Sequence, residues 1–155
     1  MKFLIILIFI SIANYAMANS QNIEDLKLEL RYAVAGNKWR EMIEVADKIL
    51  KLKPKDPGAC FEKAQGLAQL GRYKEAIVFY DLAVEYKHHY SGIYKHHYSG
   101  IAYYHRGVCL ESLERYEDAL ESYDLAIKHG YNDRWLYFAR NGVLLKLGRL
   151  GKNSD

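Results

Sequence analysis

Apolar residues recur at helical spacing along most of the chain. Phe61, Ala64, Leu67, Ala68 and Leu70 mark one face of a helix that ends at Gly71. Ala76, Ile77, Phe79, Tyr80, Ala83 and Val84 mark a second. Gly71 suits the left-handed backbone that ends a helix. Pro54 and Pro57 fall where a helix must stop. No stretch alternates with the period of a strand. The pattern predicts paired helices and an all-α fold.

The helical pairs repeat. Residues 71–84 and 114–127 form a block of 14 residues that recurs 43 positions later, with Arg, Tyr, Ala, Tyr, Asp, Leu and Ala in register. The turns at Asn37 and Gly71 lie 34 residues apart, as do those at Glu114 and Gly148. A unit that recurs at such a period cannot bury its apolar face alone, and stacked copies bury it for one another. Units are expected near 23–56, 57–99, 100–133 and 134–150, the last holding one helix only. Ala76, Ala83, Ala119 and Ala126 would let helices approach closely, with Tyr80 and Tyr123 filling the space between them.

This arrangement resembles the tetratricopeptide repeat (TPR) family, whose unit runs W-x2-L-G-x2-Y…A-x3-F…P. In the third unit, Tyr103, Arg106, Gly107 and Leu110 stand where W, L, G and Y belong, and Ala119 and Tyr123 supply A-x3-F. The second unit has Ala64, Ala76, Tyr80 and Ala83; the first keeps Pro54, and the fourth has Asn141 for the glycine. The resemblance implies a TPR-like superhelix, a solenoid of about three helical hairpins plus a final helix. It also implies that the first helix of each unit lines a concave groove. Phe61, Gln65, Ala68 and Gln69 would stand there from the second unit. Tyr104, Val108, Glu111 and Ser112, with Ile101, would come from the third, and Trp135, Phe138, Gly142, Leu145 and Lys146 from the fourth. Lys27 and Arg31 would form a basic end. Some family members clamp a C-terminal carboxylate here. Lys27 fits that clamp, but Arg31, Glu62 and Ile101 stand where its other polar and basic partners belong.

The N-terminus reads differently from the rest. Lys2 precedes an unbroken apolar run, Phe3 to Ile10, and Ala16-Met17-Ala18 is an A-x-A cleavage signal. Residues 1–18 therefore read as a secretory signal peptide, with 19–155 as the mature repeat domain. The run is shorter than the roughly 20 residues that cross a bilayer, so no membrane span is expected after its removal. The expected location is exported, periplasmic or secreted. Oxidising conditions there would allow Cys60 and Cys109 to pair. Two lone cysteines on helices read more simply as small buried hydrophobes.

Net charge is +3, from 22 basic and 19 acidic residues evenly spread. No basic stripe suggests nucleic acid. Tyr86–Ile93 is repeated without change as Tyr94–Ile101, which gathers four of the six histidines: His88, His89, His96 and His97. Imidazoles bind zinc, copper or nickel, yet neighbouring His rings point apart, and no acid or cysteine lies among them. The alternative is a solvated connection whose second copy is an insertion, with a turn at Ser91-Gly92 and Ser99 capping the next helix. No phosphate loop, G-x-S-x-G or H-E-x-x-H motif occurs, so neither enzyme activity nor a cofactor is expected. The leading expectation is a scaffold that binds a protein or peptide segment on aromatic groove residues. The alternatives are a structural subunit that self-associates through its last helix, giving a homodimer, and a metal-responsive module using the His tract.

Overall fold

The computed structural model describes residues 2–86 and 94–149. Among the described residues seven α-helices follow one another: α1 (Lys2–Ala35), α2 (Trp39–Leu52), α3 (Pro57–Gln69), α4 (Tyr73–Glu85), α5 (Tyr94–Ser112), α6 (Tyr116–Lys128) and α7 (Arg134–Lys146). No strand occurs among the described residues. Each helix packs mainly on its sequence neighbours, and α3 also meets α5 and α5 meets α7. The odd-numbered helices thus form one row and the even-numbered helices pack behind it, as in an αα-superhelix.

The turns inside the hairpins share one construction. Asn37, Gly71, Glu114 and Gly148 all have positive φ, between 52° and 74°. The residue after each donates its N–H five residues back: Lys38 to Ala33, Arg72 to Leu67, Arg115 to Leu110 and Arg149 to Leu144, each at 2.9 Å. This is the Schellman closure of a helix end, which satisfies carbonyls that the helix itself leaves open. The spacing of these four positions is the 34-43-34 spacing of the repeat.

The core runs along the solenoid. Ala76, Ala83, Ala119 and Ala126 are buried at the helix contacts, and Tyr80 and Tyr123 fill the gaps as expected, at 1% and 0% exposure. Leu26, Leu30, Ala33, Met42, Val45 and Ile49 make a second cluster at the N-terminal end. Cys60 and Cys109 are buried and free, and burial pushes both thiols up to about 11.

Two features bear on the expected boundaries. First, α1 is continuous from Lys2 to Ala35, so the boundary expected after Ala18 falls within an unbroken helix. Ile5, Ile6, Ile8, Phe9, Ile10 and Ile12 are exposed along its first half. No helix among the described residues is long and apolar enough to cross a membrane. Second, the later copy of the octapeptide is not a looped insertion. It forms the start of α5, which begins at Tyr94, so Ser99 lies within a helix and does not cap one. Packing is the reason. Ser99 is buried, and a methyl group added at Gly100 would meet Tyr131 Cβ at 2.7 Å and its nitrogen at 3.0 Å. This close approach holds α5 against Tyr131 at its expected start, and the helix runs on upstream to Tyr94. The turn expected at Ser91-Gly92 lies outside the described residues.

Candidate functional site

The row α1, α3, α5, α7 carries the residues expected to line a groove, and the structure separates them into three regions. Between α3 and α5 lies a groove of about 200 Å³ whose walls include Gln65, Gln69, Val108 and Ser112, with Tyr80 and His105 at its base. Gln65, Gln69 and Val108 therefore come together. Phe61 does not join them as an exposed anchor. It is buried, edge-on to Tyr80 at 5.7 Å and to His105 at 6.0 Å. The ring turns into the core, where Tyr80 and His105 give it aromatic partners. His105 itself stacks on Tyr80 at 6.0 Å, and burial holds its imidazole down to about 4.

Tyr104 and Glu111 tie helices together. Tyr104 is half-buried against Tyr123 at 6.0 Å and Tyr131 at 5.3 Å. The Tyr123 hydroxyl donates to Glu111 Oε2 at 2.9 Å, and the Lys146 ammonium donates to Glu111 Oε1 at 2.8 Å. One carboxylate thus links α5, α6 and α7. Lys146 also lies 4.9 Å from the centre of the Tyr116 ring.

On α7 the apolar side chains divide by face. Leu136 and Val143 are fully buried, whereas Trp135, Phe138 and Leu145 are 56%, 75% and 62% exposed. Trp135 and Phe138 meet edge to face at 6.3 Å, with the Arg134 guanidinium over the Trp135 ring at 5.1 Å. Asp133 starts this helix by accepting from the Trp135 N–H at 2.8 Å, which holds the indole at the first turn.

The third region is a cavity of about 430 Å³ between α1 and α3, lined by Lys27, Leu30, Arg31, Val34, Ile49 and Glu62 among others. Lys27 and Arg31 are where a basic end was expected. Glu62 is the residue that sequence reasoning undervalued. Its Oε2 is enclosed with no hydrogen-bond partner, and burial alone pushes its carboxyl up to about 7. An acid one residue from the core residue Phe61 was the available signal. The folded state then holds a proton between about pH 4.5 and 7 that the unfolded state has released, so stability falls as pH rises through that window. Glu62→Gln removes this slope. In urea titrations the wild type should lose about 1–3 kcal/mol more than the variant between pH 5 and pH 8. Parallel pH profiles for the two proteins would show that Glu62 is solvated.

His88 and His89 lie outside the described residues, as do the side chains of His96 and His97. Among the described residues no group of three or more His, Cys, Asp or Glu side chains is placed to hold a metal ion.

Residues 57–88 and 100–129 each match the tetratricopeptide repeat family. Over these two stretches the chain is similar to that family. Solved structures agree on the repeat fold. The first TPR of Spaghetti (RPAP3), bound to the HSP90 peptide SRMEEVD, is 21% identical over 83% of this chain and 95% of that one, with a TM-score of 0.71. The TPR2B domain of yeast Sti1, in a pHsp70 complex, is 20% identical over 81% and 98%, with a TM-score of 0.68. MamA is 18% identical over 88% and 75%, with a TM-score of 0.72. No curated protein sequence matches the chain.

Proposed function

We propose that this repeat protein is a non-enzymatic scaffold that holds a protein or peptide segment against the α1, α3, α5, α7 row. The observation that carries the reading is the α7 surface, where Trp135, Phe138 and Leu145 stand exposed beside the groove-bearing helices. Aromatic side chains fixed on a rigid helix are efficient anchors, because they offer large apolar area with few torsions to freeze. The groove between α3 and α5 adds the amides of Gln65 and Gln69, which suit the backbone of a docked segment. Two of the structural neighbours are named as complexes with an HSP90 peptide and with pHsp70, which supports a peptide ligand here.

The test is a peptide-display selection on the full chain, followed by anisotropy titrations of the recovered peptides. Trp135→Ala and Phe138→Ala should each weaken binding by about 1–3 kcal/mol. Glu117→Ala and Glu121→Ala, on α6, should change little. Equal effects from both pairs would move the site off this row.

The same α7 surface also supports self-association, since exposed apolar patches mark interfaces. Sedimentation separates the two readings: a concentration-dependent dimer lost in Phe138→Ala favours self-association, and a monomer that binds peptide favours the scaffold. Export belongs to the proposal too. The apolar first half of α1 and its A-x-A signal support cleavage after Ala18. A mature N-terminus at Asn19 in the exported fraction is the expected result, and an intact Met1 on cell-associated protein would sink it.

A further inference from the structure

We propose that the cavity between α1 and α3 is a subsite for a basic side chain of the bound segment, with the Glu62 carboxylate as its counter-ion. This deepens the peptide-scaffold reading and rests on it for the source of the cation.

The cavity is built of two parts. Leu30 and Val34 on α1, Ile49 on α2 and Ala59 on α3 give it apolar walls, and its volume of about 430 Å³ is ample for one long side chain. Glu62 on α3 supplies a carboxylate oxygen sealed from solvent with no donor to satisfy it. Buried polar atoms are ordinarily paired, and an orphan one points to a group that arrives. Lysine matches both parts. Its four methylenes cover apolar surface while its ammonium reaches a charge, and a partner for a carboxylate that is already buried recovers part of the cost of its burial.

The cations on the cavity wall do not already fill that role. Lys27 pairs with Glu24 at 2.9 Å, and the Arg31 Nε donates to the Lys27 carbonyl oxygen at 3.4 Å. Neither lowers the Glu62 carboxyl, whose upward displacement has burial as its cause. Lys63, beside Glu62 on α3, is engaged by Asp47 and by the face of Phe79. The other ionisable neighbours are acids or neutral groups. Asp56 at the start of α3 accepts from the Ala59 N–H and lies 3.1 Å from the Lys53 ammonium. Tyr80 on α4 has its phenol pushed up by burial above all, with smaller contributions from Cys109 and Glu62, and His105 on α5 is held neutral by burial against Tyr80. An incoming carboxylate would face Glu62 as a like charge and would have to enter with a proton. An incoming ammonium releases that proton.

The direct test follows the Glu62 carboxyl carbon by NMR in the full chain labelled with 13C-glutamate. With saturating n-butylammonium its titration midpoint, about 7 in the free protein, should fall by at least one pH unit, whereas n-butanol should leave it in place. A midpoint unmoved by n-butylammonium, or one raised by acetate, overturns the subsite. This readout uses the wild-type chain, so it does not depend on a variant folding. The second arm takes peptides selected on the chain and replaces each lysine with norleucine. At pH 8 one replacement should cost at least tenfold in affinity with the wild type and nothing with Glu62→Gln. No peptide binding alongside a lowered midpoint would remove the scaffold reading and keep the cation site. Peptide binding indifferent to lysine, with an unmoved midpoint, would do the reverse.

Discussion

Tyr123→Ala should cost about 3–5 kcal/mol of stability, the range for emptying a buried aromatic site. The ring is fully buried. It lies under the Gly107 backbone of α5 and 6.0 Å from Tyr104. Its hydroxyl reaches the carboxylate that also receives Lys146 from α7. Alanine would leave a cavity between α5 and α6 and cut one arm of that three-helix link. Tyr123→Phe isolates the second effect: it keeps the ring and loses only the hydrogen bond, at about 1–2 kcal/mol. Guanidinium unfolding followed by circular dichroism gives both values. Because stability in a solenoid resides largely in the interfaces between neighbouring units, α7 should exchange its amides faster in Tyr123→Ala than α2 does. A cost below about 1 kcal/mol for the alanine variant would mean that the helices close over the gap.

Gly107→Ala should destabilise the protein by about 1–3 kcal/mol, against the direction that helix propensity alone predicts. Alanine within a helix is favoured over glycine by about 1 kcal/mol. Here its methyl would lie 2.5 Å from Tyr123 Cε1 and 2.7 Å from Cδ1, closer than carbon atoms tolerate. The ring it meets is walled in on every side, so it cannot swing away. Tyr123→Leu in the same chain should recover part of the loss, because a smaller side chain leaves room for the methyl. An increase in melting temperature for Gly107→Ala would mean that α5 shifts outward and that the close approach is not required.

The architecture was legible because its signals are local and repeated. Asn37 and Glu114 were identified as turn positions by alignment with Gly71 and Gly148, although neither is glycine, and all four adopt the same left-handed conformation. The alanines and the two central tyrosines were legible from their register. The site was less so. Position in the repeat does not tell which way a ring turns. Phe61 faces the core because Tyr80 and His105 come from two other helices to meet it. Glu62 read as an unsuitable clamp residue; its enclosure depends on α1 closing over it, which no pattern along α3 encodes. The start of α5 was hidden for another reason. Two identical octapeptides carry identical local signals, and the contact of Gly100 with Tyr131 comes from a helix distant in sequence.

That contact also bears on how the chain could change over generations. The later octapeptide supplies Ser99 and Gly100 to the packed interface. Losing either copy by slippage during replication would leave the same eight residues joined to Ala102, so every packed position of α5 would keep its present side chain. The spacing between the two central turns would contract from 43 to 35 residues with no mutation in the core. The duplication is in this sense reversible in one step; since α4 ends at Glu85 and α5 begins at Tyr94, the shorter chain would make its connection from the first turn of α5 and keep the α5–α6 interface from Ser99 onward.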